Sequence, residues 1–498
     1  MSWKPPGSRA LASGVLWNGL GQGLPLLAAV LLVPRLVHGL GVERFGVLSL
    51  AWLLIGYFTL FDLGVSGALT RLVSERLARS RHDEVAPLVW TSLALTTVMG
   101  LVGGALLAAL APWLVERALR IPVELRPEAL RLVAILAATL PVVTGTAALT
   151  GVLAAQHRFG ALNAVRVPLG VLTYAAPVAV LPFSTSLVTA ALALAAVRVA
   201  AGLAYLVLCL AGTPGLRGRV AIVPGLVRPI LGFGSWMTVT AVVGPLMVYF
   251  DRFLIGALLS MAMVAYYTAP YDMVSRLTLL SLPVVSVLFP AIAASFDADR
   301  PRSARLFDWA LRVVAALLFP LALVLAVFAP EALRLWLGAD FAAHGATVLR
   351  LLTVGVFLNG LAQVALALVQ GSGRPDLGAK LHVAELPFYL AALWLLVHSH
   401  GIEGAAIAWL ARVAVDTLAL FAMARRRLGP GFAPARGALG SCAAGAVTLA
   451  AGCLLPGLAA RTAFTAVALT AYGVIAWRFV ARPGALAVLA RPHAGPAA

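Results

Sequence analysis

Charge is scarce in this chain. Only 11% of its 498 residues are Asp, Glu, Lys or Arg, while 62% are hydrophobic. Soluble domains carry about 25% charged residues, so an ordinary water-soluble globule is excluded. Lysine is nearly missing, with Lys4 and Lys380 the only two. Cysteine is confined to Cys209, Cys442 and Cys453, all in apolar runs, which excludes a disulfide framework or a metal-type spacing. Enzyme signatures are missing as well. There is no Gly-rich phosphate loop ending in Lys-Ser/Thr, no zinc-type His pair and no Cys/His nucleophile. His398-Ser-His400 and Gly371-Ser-Gly-Arg-Pro375 both fall in connections. No connection exceeds about 20 residues, which leaves no room for a soluble catalytic domain. The sequence therefore predicts a protein that is not an enzyme and binds neither metal nor organic cofactor.

Long apolar runs are plentiful, and the mean hydropathy is +0.98. The runs at 98–112 and 187–197 are continuous, not alternating, so they read as membrane helices and not as barrel strands. Residues 1–19, with a basic start and an apolar continuation, read as a tail and first span, not as a cleavable leader. The fold class expected is an all-α polytopic membrane protein of about 14 transmembrane helices, each about 20–28 residues long. They run at 14–37, 45–68, 86–112, 129–153, 160–183, 186–211, 229–256, 261–293, 307–329, 345–369, 378–398, 403–424, 437–458 and 461–481. The formal net charge is +18, nearly all of it from arginine in short loops. That pattern fits the positive-inside rule and anionic headgroups better than nucleic acid. With the N-terminus in the cytosol, about 24 basic residues fall on the cytosolic side against 9 outside. Both termini are then cytosolic.

A faint repeat at an offset of 219 residues superposes Trp17 on Trp236 and Trp52 on Tyr271. It suggests two six-helix bundles, 1–212 and 228–426, joined by a cytosolic linker at 213–227. Two further helices occupy 427–481 and a tail follows at 482–498. Duplicated halves around a midplane site are a transporter habit.

Charges inside the spans single out the candidate residues. Asp251 and Arg252 are the only charged residues between Arg228 and Asp272. Arg198 falls near the middle of span 6, Asp272 and Arg276 in span 8, Glu385 in span 11, and Arg412 with Asp416 in span 12. Asp62 lies in span 2. If Arg198, Arg252, Arg276 and Arg412 all faced lipid, insertion would cost roughly 10–14 kcal/mol. They must face an interior, and several arginines in one interior suit a phosphate or pyrophosphate, which guanidinium binds bidentately. Asp272/Arg276 and Arg412/Asp416 are spaced i, i+4, so the plainer reading is that each pair neutralises itself. Arg198 would then bridge to an acid such as Glu385, and Arg252 would pair across helices or snorkel. Asp251, Asp272, Glu385 and Asp416 are candidates for proton or cation coupling, or for charge pairing. Asn18, Gln22, Asn359, Gln363 and Tyr267 would line a polar cavity and contact sugars, or else serve as interhelical glue and interfacial belt. Prolines inside the spans, such as Pro141, Pro283 and Pro387, are kinks or hinges.

Several stretches resemble a known family. Trp17-Asn18, Gly39-Leu-Gly-Val-Glu-Arg-Phe-Gly-Val-Leu48, Leu60-Phe-Asp-Leu-Gly64 and Leu69-Thr-Arg-Leu-Val-Ser-Glu75 are similar to the start of Wzx-type polysaccharide biosynthesis proteins. These are lipid-linked oligosaccharide flippases of the MOP superfamily. Tyr249-Phe-Asp-Arg-Phe-Leu-Ile-Gly256 followed by Ala265-Tyr-Tyr267 resembles their seventh and eighth spans. The resemblance implies a V-shaped pair of bundles around a cationic cavity. It implies alternating-access transport of an undecaprenyl-pyrophosphate-linked glycan across the bacterial inner membrane. It also implies partners: the lipid-linked glycan, membrane lipids, a polysaccharide polymerase and glycosyltransferases. Other readings are a peptidoglycan-precursor flippase, a multidrug exporter of the same superfamily, or a non-transporting subunit of a glycan-synthesis complex.

Overall fold

The computed structural model describes residues 8–57, 65–79, 81–156, 158–213, 215–218, 220–297, 299–429 and 434–480. Among them there is no strand, and sixteen α-helices follow one another. In the first half these are α1 (Ser8–Leu40), α2 (Val42–Tyr57), α3 (Val65–Ala78), α4 (Val85–Trp113), α5 (Arg126–Ala155), α6 (Phe159–Val180), α7 (Leu187–Gly212) and α8 (Val227–Leu258). Then come α9 (Met261–Ser275), α10 (Leu282–Ser295), α11 (Arg300–Val327), α12 (Ala329–Leu337), α13 (Ala339–Gly371), α14 (Pro375–Leu428), α15 (Pro434–Leu454) and α16 (Leu458–Val480). Eight helices among the described residues are long and apolar enough to cross a membrane, or nine if a bent pair counts as one span. The protein is an all-α, multi-pass membrane protein.

Contacts divide the chain into two compact units, Met1–Ala265 and Tyr266–Ala498. In the first, α5 packs on α4 and α7, α6 packs on α1 and α7, and α3 contacts α4, α5 and α8. In hydrocarbon the tails are as apolar as leucine, so helices associate through close packing and interhelical hydrogen bonds. Thr144 on α5 donates its hydroxyl to the Thr96 carbonyl on α4 at 2.8 Å. Leu69, Leu88, Val152, Tyr205 and Cys209 close the core behind it.

In the second unit α11 is the hub and packs on α10, α13, α15 and α16, while α13 packs on α14. Phe307, Phe319, Phe357 and Phe421 fill its centre. The last hairpin, α15–α16, is fastened to α12. Arg461 on α16 bonds Glu331 at 3.0–3.1 Å and the Val327 carbonyl at 3.3 Å.

Two features depart from the sequence reading. The span expected as continuous over 261–293 is broken, with its two pieces bent by 41°. Residues Arg276–Leu280 form a 3-10 turn. Ser275 and Thr278 return their hydroxyls to nearby carbonyls at 3.2 and 2.6 Å, and Pro283 supplies no N–H. Hydroxyl back-bonding and a missing donor are recognised causes of kinks. The second feature is α12, a nine-residue amphipathic helix between spans 9 and 10 that was not anticipated. It buries Ala329, Leu333 and Leu337 and leaves Leu335 exposed.

Candidate functional site

Two spans expected at 378–398 and 403–424 form the single element α14. They join at Gly401, whose φ of 60° and ψ of −138° suit glycine alone. Beside the turn, a Cβ on Gly404 would collide with the Leu396 carbonyl. The two limbs therefore lie in backbone contact. This sets His382, Glu385 and Tyr389 of the first limb against Arg412 and Asp416 of the second.

The five side chains form a polar cluster in an apolar surround. Arg412 Nη1 lies 3.9 Å from Glu385 Oε2, with side chains 10% and 8% exposed. His382 Nε2 lies 3.3 Å from Asp416 Oδ1. The Arg412 guanidinium stands 5.6 Å from the centre of the Tyr389 ring, and Tyr389 is buried. Neither charge contact is aligned as a hydrogen bond. Both Glu385 oxygens, Asp416 Oδ1 and Arg412 Nε are buried without a hydrogen-bond partner. Low-dielectric burial makes such unspent capacity costly. Two carboxylates, one guanidinium and one imidazole are thus held together without a closing hydrogen bond.

The structure thus re-pairs two residues. Arg412 and Asp416 share a helix face at i, i+4, yet each finds its partner on the opposite limb: Glu385 for Arg412 and His382 for Asp416. A self-neutralising pair within span 12 is corrected accordingly. His382 and Tyr389 were missed. Their signal was the i, i+3, i+7 spacing of His382, Glu385 and Tyr389, which puts all three on one face.

The other candidates are dispersed. In the first unit Asp251 and Arg252 are 0% and 1% exposed, and Arg252 Nη1 lies 3.5 Å from Asp251 Oδ1. The same oxygen accepts the Arg252 backbone N–H at 2.8 Å, and the guanidinium lies 5.5 Å from the Tyr249 ring centre. Arg252 is therefore buried beside its sequence neighbour and does not snorkel. Asp251→Ala is expected to destabilise the protein by about 3–5 kcal/mol, because it removes the carboxylate from a buried pair. Thermal unfolding in detergent checks this, and Asp251→Glu should recover part of the loss.

Arg198 sits half-buried in the middle of α7, and its Nε has no hydrogen-bond partner. Among the described residues no carboxylate lies within ion-pair distance of it, and the expected partner, Glu385, is committed to Arg412. Asp272 and Arg276 are both half-buried and engaged in contacts. The α-helix ends at Ser275, so Arg276 opens the 3-10 turn.

Asn359 and Gln363 on α13 do meet, Gln363 Nε2 donating to Asn359 Oδ1 at 3.3 Å, with Gln363 exposed. Tyr267 is fully buried, and its ring stacks on Tyr271 at 6.5 Å. Tyr271 in turn meets the edge of Trp409 at 6.0 Å. In this arrangement Tyr267 packs a core and presents no open face to a sugar. The side chains of Asn18 and Gln22, and residue Asp62, lie outside the described residues.

Residues 11–296 match the family model described as "Polysaccharide biosynthesis protein". The chain is 28% identical over 413 residues to a curated protein of Shigella flexneri named "Putative O-antigen transporter", covering 81% of this chain and 95% of that one. Among solved structures it is similar to the lipid II flippase MurJ in an inward closed conformation. The TM-score is 0.72 at 12% identity, covering 95% of this chain and 100% of the other. It is also similar to an inward-facing multidrug resistance MATE family transporter of the MOP superfamily. There the TM-score is 0.67 at 16% identity, covering 83% and 98%. At these identities the structural likeness speaks for the fold alone.

Proposed function

Because the chain belongs to the polysaccharide biosynthesis protein family, we propose that it is a flippase for an undecaprenyl-pyrophosphate-linked oligosaccharide. The cargo is an O-antigen, capsule or exopolysaccharide repeat unit, moved from the inner to the outer leaflet of the bacterial inner membrane. Both termini face the cytosol in this reading. The observation that carries it is the similarity to a protein named as an O-antigen transporter over 95% of that protein's length. The interior charges of both units support it.

The physical task is to carry a pyrophosphate and a string of hydroxyls across hydrocarbon. Transferring such groups unpaired costs many kcal/mol. Arginines in the protein interior replace water for the pyrophosphate, while the polyprenyl tail stays in lipid. Arg198, with no carboxylate among the described residues within ion-pair distance, is the strongest candidate for a phosphate contact. Arg252 and Arg276 are already engaged and act as fixed positive charge. Arg412 acts differently. Held at 3.9 Å by Glu385, it is released when Glu385 takes a proton, and it re-pairs when the proton leaves. His382 and Asp416 beside it relay that proton. The cycle couples headgroup movement to a proton gradient by alternating access.

The test is leaflet translocation of a fluorescent polyprenyl-pyrophosphoryl glycan in proteoliposomes. Wild type moves the glycan, and an imposed proton gradient accelerates it. Arg198→Ala, checked for folding, lowers the rate roughly 10–100-fold, the worth of a hydrogen bond to a charged group. Glu385→Gln retains basal movement and loses the response to the gradient. Movement at the wild-type rate in folded Arg198→Ala overturns the phosphate-binding role. Movement of a peptidoglycan precursor or a cationic drug in place of the glycan overturns the substrate class. No movement of any of these overturns transport itself.

A further inference from the structure

Three connections of the second unit converge on one buried ring. Phe296, after α10, is 2% exposed. The guanidiniums of Arg300, at the start of α11, and of Arg427, at the end of α14, lie 5.6 and 5.3 Å from its centre. Arg427 also ties in the connection after α13, donating Nε to Ser372 Oγ at 3.0 Å and Nη2 to the Ser372 carbonyl at 2.6 Å. Residues 296–297, 299–305, 372–380 and 425–429 are thereby gathered at one end of the unit.

Their charge is one-sided. These stretches contain eight basic and three acidic residues, and two of the acids are already engaged away from the ring. Asp376 is shared by Arg374 at 2.9 Å and Lys380 at 3.0 Å. Asp299 caps α11 by accepting the Arg302 backbone N–H at 2.8 Å. Among the described residues no carboxylate lies within ion-pair distance of Arg300, Arg305, Arg425, Arg426 or Arg427. Two like charges on one ring, with three more nearby, repel one another, and an anion removes that cost. The helix that leads away from this ring is apolar on its outer side: Leu282, Val287 and Phe289 on α10 are 50%, 54% and 42% exposed. A soluble anion has no use for exposed apolar side chains on the adjoining helix, whereas an acyl chain does.

We propose that the Phe296–Arg300–Arg427 node, with Arg425 and Arg426 at its rim, is a docking site for the phosphodiester headgroup of an anionic phospholipid. The lipid tail lies along α10, and the headgroup clamps the ends of α10, α11, α13 and α14 together. This site is separate from the His382–Arg412 cluster and does not depend on the flippase reading.

Native mass spectrometry of the purified full-length protein tests it, with phosphatidylglycerol and phosphatidylcholine as the two lipid probes. Wild type retains phosphatidylglycerol in preference. Arg300→Gln/Arg426→Gln weakens that retention about fivefold for each charge removed and leaves phosphatidylcholine unaffected. Arg217→Gln/Arg228→Gln, two exposed charges in the first unit, changes nothing. Should the double variant fail to fold, the exposed Arg300→Gln alone carries the test, with about a fivefold loss. Unchanged retention in the Arg300 variants, or equal loss in the Arg217/Arg228 control, overturns the site. Displacement of phosphatidylglycerol from wild type by millimolar inorganic phosphate or pyrophosphate overturns the lipid as its occupant.

Discussion

Arg412→Leu lowers stability by about 3–5 kcal/mol, and Arg412→Leu combined with Glu385→Gln regains most of that loss without regaining transport. The single change leaves Glu385, 8% exposed with both oxygens lacking hydrogen-bond partners, beside a hydrocarbon side chain. Its charge then has only the partly exposed His382 within the cluster to offset it. The double change removes both members of the pair and restores neutrality. Replacing a buried ion pair with neutral groups of similar volume is often free of cost or stabilising. Thermal midpoints of the single and double variants in detergent, set beside glycan translocation by each, separate the two contributions. A double variant that both folds and transports at the wild-type rate would reduce the pair to scaffolding.

Gly404→Ala is expected to lower stability by about 1–3 kcal/mol or more and to slow transport at least tenfold. The added methyl has no room, since it meets the carbonyl of Leu396 on the other limb. Backbone cannot rotate aside as a side chain can, so the limbs must part. Parting them lengthens the Glu385–Arg412 contact, which is already 3.9 Å. Gly378→Ala is the control, because the added methyl there meets only the end of the flexible Leu366 side chain. A thermal midpoint and a transport rate for each variant check the comparison. Equal effects from Gly378→Ala would show that the turn has no special role.

The sequence shows the membrane class and most span positions because a hydrophobic run is a local property. Asp251-Arg252 stands out for the same reason: two charges in an apolar interval need no partner to be noticed. Pairing is not local. Arg412 and Asp416 sit one turn apart and read as each other's partners, yet a glycine turn brings in a second helix that supplies a different acid and a histidine. His382 stands near the end of its span with no local pattern to mark it, and the conspicuous histidines, His398 and His400, are both exposed. The break at Arg276–Leu280 was also obscure, because its cause is divided among Ser275, Thr278 and Pro283, none decisive alone. The helix α12 escaped because nine residues are too few for a span and its face is legible only once Leu333 and Leu337 are seen to be buried.

The hairpin within α14 also bears on how the chain enters the bilayer during synthesis. A lone helix carrying Arg412 and Asp416, or one carrying Glu385, would meet an insertion penalty of roughly 2.5–3.5 kcal/mol for each ionised group at its centre. The two limbs are consecutive, and their turn is a single residue, Gly401. They can leave the translocon together, with Glu385 already opposite Arg412 and His382 already opposite Asp416. The partners are then presented to lipid as one nearly neutral helical pair. By contrast, the Arg461–Glu331 tie joins residues 130 apart, so it closes only after the final hairpin has emerged. The polar cluster is therefore assembled early and the α15–α16 fastening late. A ribosome stalled between the two limbs of α14 should leave the first limb poorly inserted.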